Sequence, residues 1–293
     1  MIRYHLFGAA HLDLIGQTED LATLGQSNPG TMREAPGGAA LNVASVFAAL
    51  GARVTLHSAV GADAAGARVQ AEVASRGIAF GLLASELGHA TATYTAILDA
   101  DGELIAALSD MQIYAGVTVG GELVSAEDWV HVDTNLPQDV IGAVLAQSAA
   151  HRSAMTVSAA KAPRLREHLS ALDLLFTNRS EAAALCDAPT ETGLGDLAAE
   201  LAKRGSRRAI ITDGSAPVAL LDAGAVTEIS VPPCAVKSVT GAGDALTAAT
   251  LFALGRSEPL AAAVQLGIQA AQATLAVDGP YRADLAQVIG VST

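Results

Sequence analysis

A run of small residues that ends in a carboxylate, Thr240-Gly241-Ala242-Gly243-Asp244, leads directly into a predicted helix. Small residues let an anion approach the backbone closely, and the free N–H groups and positive dipole at a helix start favour negative charge. Asp244 would lie in the first turn, where it can take a proton from a hydroxyl while the N–H groups hold a phosphoryl group. A glycine-rich helix start with a capping Asp fits the spacing equally well. The run is not a Walker A loop, because G-x-x-x-x-G-K-[ST] occurs nowhere in the chain.

A second group of candidate residues lies near the start of the chain. Pro36-Gly37-Gly38 opens a predicted helix that carries Asn42 one turn from its start. Paired glycines let a ligand approach the backbone, and an Asn side chain offers both a donor and an acceptor, which suits sugar hydroxyls. Asp13 follows the first predicted strand, where open α/β sheets bind ligands. A helix entry with an incidental Asn and a solvated loop Asp are the alternatives.

These residues need a scaffold, and the hydrophobic pattern predicts alternating strands and helices. Short apolar runs indicate buried strands, and apolar residues at helical spacing indicate helices. Such alternation favours an α/β fold, with helices on the faces of a mostly parallel sheet. The predicted strands are residues 4–8, 53–60, 129–132, 154–157, 172–176 and 208–212, and the predicted helices are residues 38–50, 64–75, 137–149, 194–204 and 241–254.

One stretch breaks this alternation. Residues 91–98 and 103–108 are rich in β-forming side chains and flank Asp99-Ala100-Asp101-Gly102. An Asp-Gly pair between such runs is a strong hairpin signal. A hairpin has no place inside a parallel sheet, so we expect a small additional sheet, with residues 12–35 supplying its other strands.

Composition limits the class of partner. The 293 residues include 17 Lys and Arg against 30 Asp and Glu, which gives a net charge of −13. Surfaces that bind nucleic acids or anionic membranes need excess Lys and Arg, so neither partner is expected. A phosphate ligand is not excluded, because backbone N–H groups and one or two basic side chains can hold it.

The remaining signals point to an ordinary intracellular protein. Cys186 and Cys234 are far apart and lack a C-x-x-C spacing, which indicates buried or incidental thiols. The N-terminus lacks a secretory pattern, and the best membrane candidate, residues 260–277, is interrupted by glutamines. A soluble cytoplasmic protein is the simplest expectation.

The two small-residue signatures together resemble those of the PfkB (ribokinase-like) carbohydrate kinase family. The early signature corresponds to Gly37-Gly38 with Asn42, and the late signature corresponds to the run from Thr240 to Asp244. Their order and separation are those of the family. The resemblance covers essentially the whole chain. It implies one domain over residues 1–293, a three-layer α/β sandwich with a mostly parallel central sheet, and a small β lid from about residues 12–35 and 89–115.

The family resemblance also implies roles for individual residues. Asp244 would be the catalytic base and Gly241, Ala242 and Gly243 would form the anion hole. The phosphoryl acceptor would be bound by Asp13, Gly37, Gly38 and Asn42. ATP would be the phosphoryl donor, with Mg²⁺ as its cofactor.

Two further stretches resemble family motifs that bind the nucleotide. Asn178-Arg179-Ser180-Glu181 resembles the family's N-x-x-E motif, which helps place Mg²⁺ and the phosphates, so Glu181 would act on the metal indirectly. Asn178 fits a helix cap equally well by its position alone. Thr212-Asp213-Gly214 resembles the start of a T-x-G-x-x-G nucleotide loop, but Pro217 replaces the last Gly.

The nucleotide side also includes Thr240, at the start of the late signature. Two residues earlier, where many relatives have an Asp, this chain has Ser238. That departure puts a monovalent-cation site in doubt.

Local stretches resemble the lid of bacterial pseudouridine kinases. They are Ser-Asn-Pro-Gly at residues 27–30, the segment 97–103 and the segment 110–113, and the Val239-Thr240 pair also looks like theirs. The resemblance implies phosphorylation of the primary hydroxyl of pseudouridine to give pseudouridine 5′-phosphate. The alternative is that these are ordinary turn and hairpin residues shared by several sugar kinases. The acceptor could then be that of a ribose, fructose or adenosine type of kinase.

Two other classes of function, and a homodimer as the state of assembly, are also considered. A nicotinamide-dependent dehydrogenase needs G-x-G-x-x-G after its first strand, and Gly8 is followed here by Ala-Ala-His-Leu. A non-catalytic metabolite-binding protein on the kinase fold is disfavoured by the presence of Asp244 and a full anion hole. Relatives often dimerise through the lid, so the resemblance also implies a homodimer.

Overall fold

Strands and helices alternate along most of the chain. A computed structural model describes residues 2–85 and 87–291, so positions 1, 86, 292 and 293 of the predicted domain lie outside it. The strands are β1 (Arg3–Phe7), β2 (His11–Thr18), β3 (Gly30–Gly37), β4 (Arg53–Ser58), β5 (Ala79–Leu82), β6 (Ala84–Ser85), β7 (Thr93–Leu98), β8 (Leu104–Asp110), β9 (Val117–Thr118), β10 (Trp129–Asp133), β11 (His151–Met155), β12 (Leu174–Asn178), β13 (Arg208–Thr212), β14 (Val218–Asp222) and β15 (Ala225–Ile229). The α-helices are α1 (Ala39–Ala49), α2 (Ala64–Ser75), α3 (Gln138–Leu145), α4 (Arg179–Cys186), α5 (Leu194–Lys203), α6 (Ala242–Gly255), α7 (Leu260–Leu275) and α8 (Leu285–Val288), and 3-10 helices span Gln112–Gly116 and Ala162–Ala171.

The central sheet has nine strands in the order β15-β14-β13-β12-β11-β10-β1-β4-β5. All neighbouring pairs from β13 to β5 are parallel, and only β14 and β15 at one edge run antiparallel. The expected α/β architecture with a mostly parallel sheet is therefore confirmed. Because the parallel strands share one direction, the loops that follow them gather at one edge of the sheet.

Two hydrophobic cores cover the two faces of this sheet. Successive strand residues point to opposite faces, so Leu175 of β12 packs in one core and its neighbours Leu174 and Phe176 pack in the other. One core contains α3, α4, α5 and the 3-10 helix Ala162–Ala171, and the other contains α1, α2, α6, α7 and α8. The result is a helix–sheet–helix sandwich.

A separate mixed sheet of four strands, β3-β2-β7-β8, is made from the two segments that the sequence assigned to a lid. Strands β7 and β8 form the expected hairpin, with Gly102 at φ 83° in its turn. We call these four strands the lid sheet. Its function as a lid over a ligand stays a prediction, as does the single domain over residues 1–293.

Tyr114 holds the junction between the two sheets. Its hydroxyl donates to the Ala10 carbonyl at 2.8 Å and lies 2.9 Å from the Ala10 N–H, and it also contacts the Ser58 hydroxyl at 3.2 Å. The ring is fully buried, and burial raises the pKa of Tyr114 above its ordinary value. This anchor fixes the start of β2, and hence Asp13, relative to the central sheet.

Several elements differ from the sequence expectation. Strand β11 spans His151–Met155 rather than residues 154–157, because His151 and Arg152 pair with β10. The β14–β15 hairpin and the 3-10 helix Ala162–Ala171 were not predicted, and α4 was anticipated only through the alternative that Asn178 caps a helix. Helix α7 occupies the stretch weighed as a membrane span, and it packs against α6. Within residues 2–85 and 87–291, no helix combines the length and apolar character needed to cross a membrane.

Candidate active site

A cavity of about 730 Å³ lies where the carboxyl ends of the central strands face the lid sheet. Most of the predicted site residues, from segments far apart in the chain, line it together. These are Asp13, Gly38, Asn42, Asn178, Glu181, Thr212, Thr240, Gly241, Gly243 and Asp244. Gly37, Ala242 and Gly214 are not among the residues that line it.

Helix α6 begins at this cavity without a side-chain cap. Gly241, which precedes it, has φ 83°, and a Cβ there would overlap the carbonyl oxygen of Pro280. The first helical hydrogen bond runs from the Ala245 N–H to the Gly241 carbonyl at 2.8 Å, so the first three N–H groups of the helix have no partner within it. The Ala242 N–H is one of these three groups, although Ala242 is not among the residues that line the cavity. This helix start is suited to phosphoryl oxygens.

Asp244 is the third residue of α6 and contacts Asn42 of α1. The Asn42 Nδ2 donates to the Asp244 Oδ2 at 2.8 Å. The Asn42 Oδ1 is buried and has no hydrogen-bond partner among the described atoms, so it is available to a ligand hydroxyl beside the carboxylate. Burial raises the pKa of Asp244 to about 7, against the Asn42 hydrogen bond, and the negative charges of Asp133 and Glu181 add to the rise. A carboxylate with such a pKa is well matched to take a proton near neutral pH.

Asp13 lies on the lid side of the cavity and is held by His11. The His11 Nε2 lies 3.0 Å from the Asp13 Oδ1. A Cβ at Gly37 would overlap the Asp13 carboxylate, so Gly37 acts by leaving room for Asp13 rather than by lining the cavity. Asp13 keeps 31% of its side chain exposed, which leaves it able to accept hydrogen bonds from ligand hydroxyls.

Asp133, at the end of β10, organises the floor beneath these groups. Its carboxylate is fully buried and accepts from the N–H groups of Ala9 at 2.9 Å, Ala40 at 3.2 Å and Asn135 at 2.7 Å. Burial raises the pKa of Asp133, while these hydrogen bonds oppose the rise. The residue thus links the end of β1, the start of α1 and the loop after β10 beneath the cavity.

Asn178 and Glu181 begin α4 as a reciprocal capping box. The Asn178 Oδ1 accepts from the Glu181 N–H at 3.0 Å, and the Glu181 Oε2 accepts from the Asn178 N–H at 3.3 Å. The Thr156 hydroxyl also donates to the Glu181 Oε2, at 2.5 Å. The helix-cap interpretation of Asn178 is thus correct, and it does not compete with a ligand role because both side chains also line the cavity.

The predicted nucleotide loop is only partly at the cavity. Thr212 lines it, whereas Gly214 is exposed in the turn between β13 and β14 at φ 56°. Asp213 between them pairs with Arg179, whose Nε donates to its Oδ2 at 2.8 Å. A nucleotide contact by Gly214 therefore stays a prediction, and the structure gives this residue a turn-forming role instead.

Ser238 lies just before the helix start, and its hydroxyl accepts from the Thr240 N–H at 3.3 Å. Among the residues that the structure describes, no cluster of three or more His, Cys, Asp or Glu side chains is placed to hold a metal ion. Mg²⁺ in phosphoryl-transfer sites is commonly held by one or two carboxylates together with substrate phosphates. Glu181 fits such a role: it is buried at the cavity wall, and its hydrogen bonds from the Thr156 hydroxyl and the Asn178 N–H both go to Oε2. When bound, the metal would neutralise phosphate charge.

Among the residues that the sequence reasoning missed, four line the cavity and one lies buried beneath it: His11, Tyr94, Ser109 and Lys161 line it, and Asp133 is the buried one. His11 carried a usable signal, since it lies two residues before Asp13 and a strand places both on one face. Asp133 is an acidic residue at the end of a strand of the parallel sheet, a position where such sheets bind ligands. Tyr94 and Ser109 became visible only through the pairing register of the lid sheet, in which Asp13 is opposite Tyr94 and Tyr94 is opposite Ser109.

A family model described as "pfkB family carbohydrate kinase" matches residues 1–285. The chain belongs to the pfkB family of carbohydrate kinases. The kinase is 29% identical over 253 residues to the pseudouridine kinase of Escherichia coli strain K12, a match that covers 83% of this chain and 80% of that protein.

Solved structures agree on the fold. A carbohydrate kinase from Agrobacterium tumefaciens superposes with a TM-score of 0.81 at 28% identity, covering 99% of this chain and 98% of that one. The Arabidopsis thaliana ribokinase complexed with ribose and ATP has a TM-score of 0.78 at 22% identity, with 100% of both chains covered. The fold is ribokinase-like, and the protein is an ATP-dependent carbohydrate or nucleoside kinase.

Proposed function

We propose that this kinase transfers the γ-phosphoryl group of ATP to the primary hydroxyl of pseudouridine and forms pseudouridine 5′-phosphate. The observation that supports the transfer chemistry is the position of the Asp244 carboxylate. It lies at the uncapped start of α6 and accepts a hydrogen bond from Asn42. A hydroxyl placed against Asp244 and Asn42 loses its proton to Asp244. Its oxygen then attacks the γ-phosphorus in line, and ADP leaves. The free N–H groups of α6 stabilise the charge on the phosphoryl oxygens.

The lid sheet supports a nucleoside as the acceptor. Asp13, Tyr94 and Ser109 are directly opposite one another on β2, β7 and β8, and all three line the cavity. This row combines a carboxylate for ribose hydroxyls, an aromatic ring for a flat base and a hydroxyl for a polar base edge. Met111 adds a polarisable side chain beside them. A bare sugar would leave much of this row unused.

The choice of pseudouridine rests on similarity to the E. coli enzyme and on the lid stretches that resemble such kinases. Other sugar and nucleoside kinases of the ribose, fructose or adenosine type are the alternatives, since the transfer chemistry is the same for each. The cavity's acidic residues and free helix start argue against a non-catalytic metabolite-binding protein.

An acceptor panel with ATP and Mg²⁺ tests the assignment. We expect kcat/KM to be highest for pseudouridine, ahead of uridine, ribose and fructose, with the product phosphate at the 5′ position by phosphorus NMR. The Tyr94→Ala variant should lose preference for nucleosides over ribose, because it removes the ring that contacts the base. A flat or inverted ranking for the wild type would overturn the pseudouridine assignment and leave the kinase standing.

A further inference from the structure

The cavity is poor in positive charge for a site that must bind a nucleoside triphosphate. Asp13, Glu181 and Asp244 line it, and Asp133 lies buried beneath. Among the described residues, the single Lys or Arg side chain in the cavity wall is Lys161, one of three lysines in the chain. Phosphoryl transfer depends on neutralising charge on phosphate oxygens, so the location of this ammonium group is informative.

The order of the strands gives that location. Asp13 follows β1 and marks the acceptor side, whereas Asn178 at the end of β12 marks the nucleotide side. Strands β10 and β11 lie between β1 and β12 in the sheet. Lys161 lies six positions beyond Met155, the last residue of β11. Its side chain therefore enters the cavity between the two half-sites, where a phosphoryl group must cross from donor to acceptor.

The ammonium group is held in place but retains free donors. The Lys161 Nζ donates to the Asn135 Oδ1 at 2.7 Å, and the Asn135 N–H is fixed in turn by Asp133 at 2.7 Å. An ammonium group has three donors, so two are left for a ligand. Burial lowers the pKa of Lys161, and the Asp133 charge opposes that fall. Asp133 thus stabilises the charged form of this side chain while it also anchors the start of α1.

We propose that Lys161 binds the γ-phosphoryl group during its transfer, together with the free N–H groups of α6. As the acceptor oxygen forms its bond to phosphorus, the bond from phosphorus to the ADP oxygen breaks and ADP leaves with that electron pair. The acceptor proton passes to Asp244, and Lys161 keeps its protons and contributes only charge and hydrogen bonds. This inference rests on the kinase activity and holds for any acceptor.

The expected signature is a loss of turnover rather than of ground-state binding. A contact that strengthens as the phosphoryl group moves lowers the barrier without tightening substrate binding. Lys161→Met should lower kcat about 100-fold, by analogy with the loss of a preorganised oxyanion donor. The KM for the acceptor should change little. Lys161→Arg keeps the charge and should recover part of the rate.

The test compares Lys161→Met and Lys161→Arg with Lys203→Met, which removes an exposed lysine of α5 that pairs with Glu200. The acceptor is whichever panel compound the wild type phosphorylates best. Calorimetry then measures ADP binding with Mg²⁺ and acceptor, with and without aluminium fluoride, which mimics the phosphoryl group in transfer. We expect aluminium fluoride to tighten ADP binding in the wild type and in Lys203→Met, and to have little effect in Lys161→Met. Without aluminium fluoride, ADP should bind equally to these three proteins.

Two results would overturn the proposal. One is a Lys161→Met enzyme that keeps near-wild-type kcat. The other is equal loss of ADP and acceptor binding with a lowered melting temperature and no recovery in Lys161→Arg, which would show a structural role. A wild type that phosphorylates no acceptor would instead refute the kinase activity, and this proposal with it. A change of preferred acceptor would refute only the pseudouridine assignment.

Discussion

At the scale of single residues, Asp244 combines two opposing demands. The same burial that raises its pKa to about 7 makes it a stronger base and makes its ionised form costly to the fold. Between the ordinary pKa of an Asp and the raised pKa of Asp244, the folded protein keeps a proton on Asp244 that the unfolded chain has lost. Folding stability from this group therefore falls as pH rises from about 4 to about 7.

The Asp244→Asn variant should consequently be more stable than the wild type in alkaline solution. The Asn side chain fills the same space without a charge, so no buried carboxylate is left to ionise. Thermal melting should give a higher Tm for the variant at about pH 8, and the difference should shrink at about pH 5, where Asp244 is protonated in the folded state. A difference that stays constant across this range would show that Asp244 has no raised pKa.

Gly243 offers a second residue-scale prediction. A Cβ at this position would meet no protein atom within 4 Å, yet the residue lines the cavity at the second position of α6. Gly243→Ala should fold as well as the wild type but lower kcat/KM by about tenfold or more, because the added methyl group occupies space needed for phosphoryl oxygens.

The matched control for that variant is Gly195→Ala. Gly195 is the second residue of α5, and its Cβ would also meet nothing within 4 Å, but it lies away from the cavity. Steady-state kinetics and melting of both variants separate a helix effect from a site effect. Equal activity in the two variants would contradict the assignment of the α6 start as the anion hole.

At the scale of elements, much of the scaffold was predictable because local signals were strong. The helix over residues 64–75 was placed with the bounds that the structure shows, and Asp63 caps it by accepting from the Gly66 N–H at 2.7 Å. The Asp-Gly hairpin was found for a similar reason, since its turn requires the left-handed conformation that Gly102 adopts.

Elements that depend on distant partners were harder to predict. Helix α7 occupies a stretch that was weighed from the sequence only as a membrane span, and it is stabilised by packing on α6. Strands β14 and β15 pair only with each other and with β13 at the sheet edge. The site divides in the same way: Asp244 and Asn42 were found from local signatures, whereas Lys161 and Asp133 needed the strand order.

The lid sheet is the surface on which the predicted homodimer would form. Because Tyr94 and Ser109 face the cavity, alternation places Leu108 on the outer face, where it is 68% exposed. Met32 of β3 is 58% exposed. We propose that a second copy of the chain covers this face. Light scattering at micromolar concentration should give a dimer, and Leu108→Glu should give a monomer. A wild type that is monomeric under these conditions would remove the prediction.

At the scale of the whole molecule, neutral buried histidines make the folding stability of the protein depend on pH. His57 and His131 have pKa values lowered to about 4 and about 3, mainly by burial, with the neighbouring histidines His5 and His151 adding to the effect. Burial also lowers the pKa of His151 to about 4. The unfolded chain takes up these protons below about pH 6.5, whereas the folded chain does not, so stability is lost as pH falls from there towards about 4.

His131→Asn should therefore reduce the fall in Tm as the pH is lowered. An Asn side chain can keep the contact that the His131 Nδ1 makes with the Ser153 hydroxyl at 3.0 Å, but it cannot gain a proton. The comparison is the change of Tm between about pH 7 and about pH 4, rather than Tm itself, because the smaller side chain leaves a void. His89→Asn, in a partly exposed loop, is the control. An unchanged slope in His131→Asn would contradict this origin of acid sensitivity.

The most direct measurement is phosphoryl transfer by Asp244→Asn under single-turnover conditions, with acceptor and ATP binding measured in parallel. If Asp244 takes the acceptor proton at the start of α6, the rate of transfer should fall by about a thousandfold or more, while both ligands still bind, because general-base catalysis contributes on that scale. Near-wild-type transfer by this variant would contradict the central claim and would place the base elsewhere in the cavity.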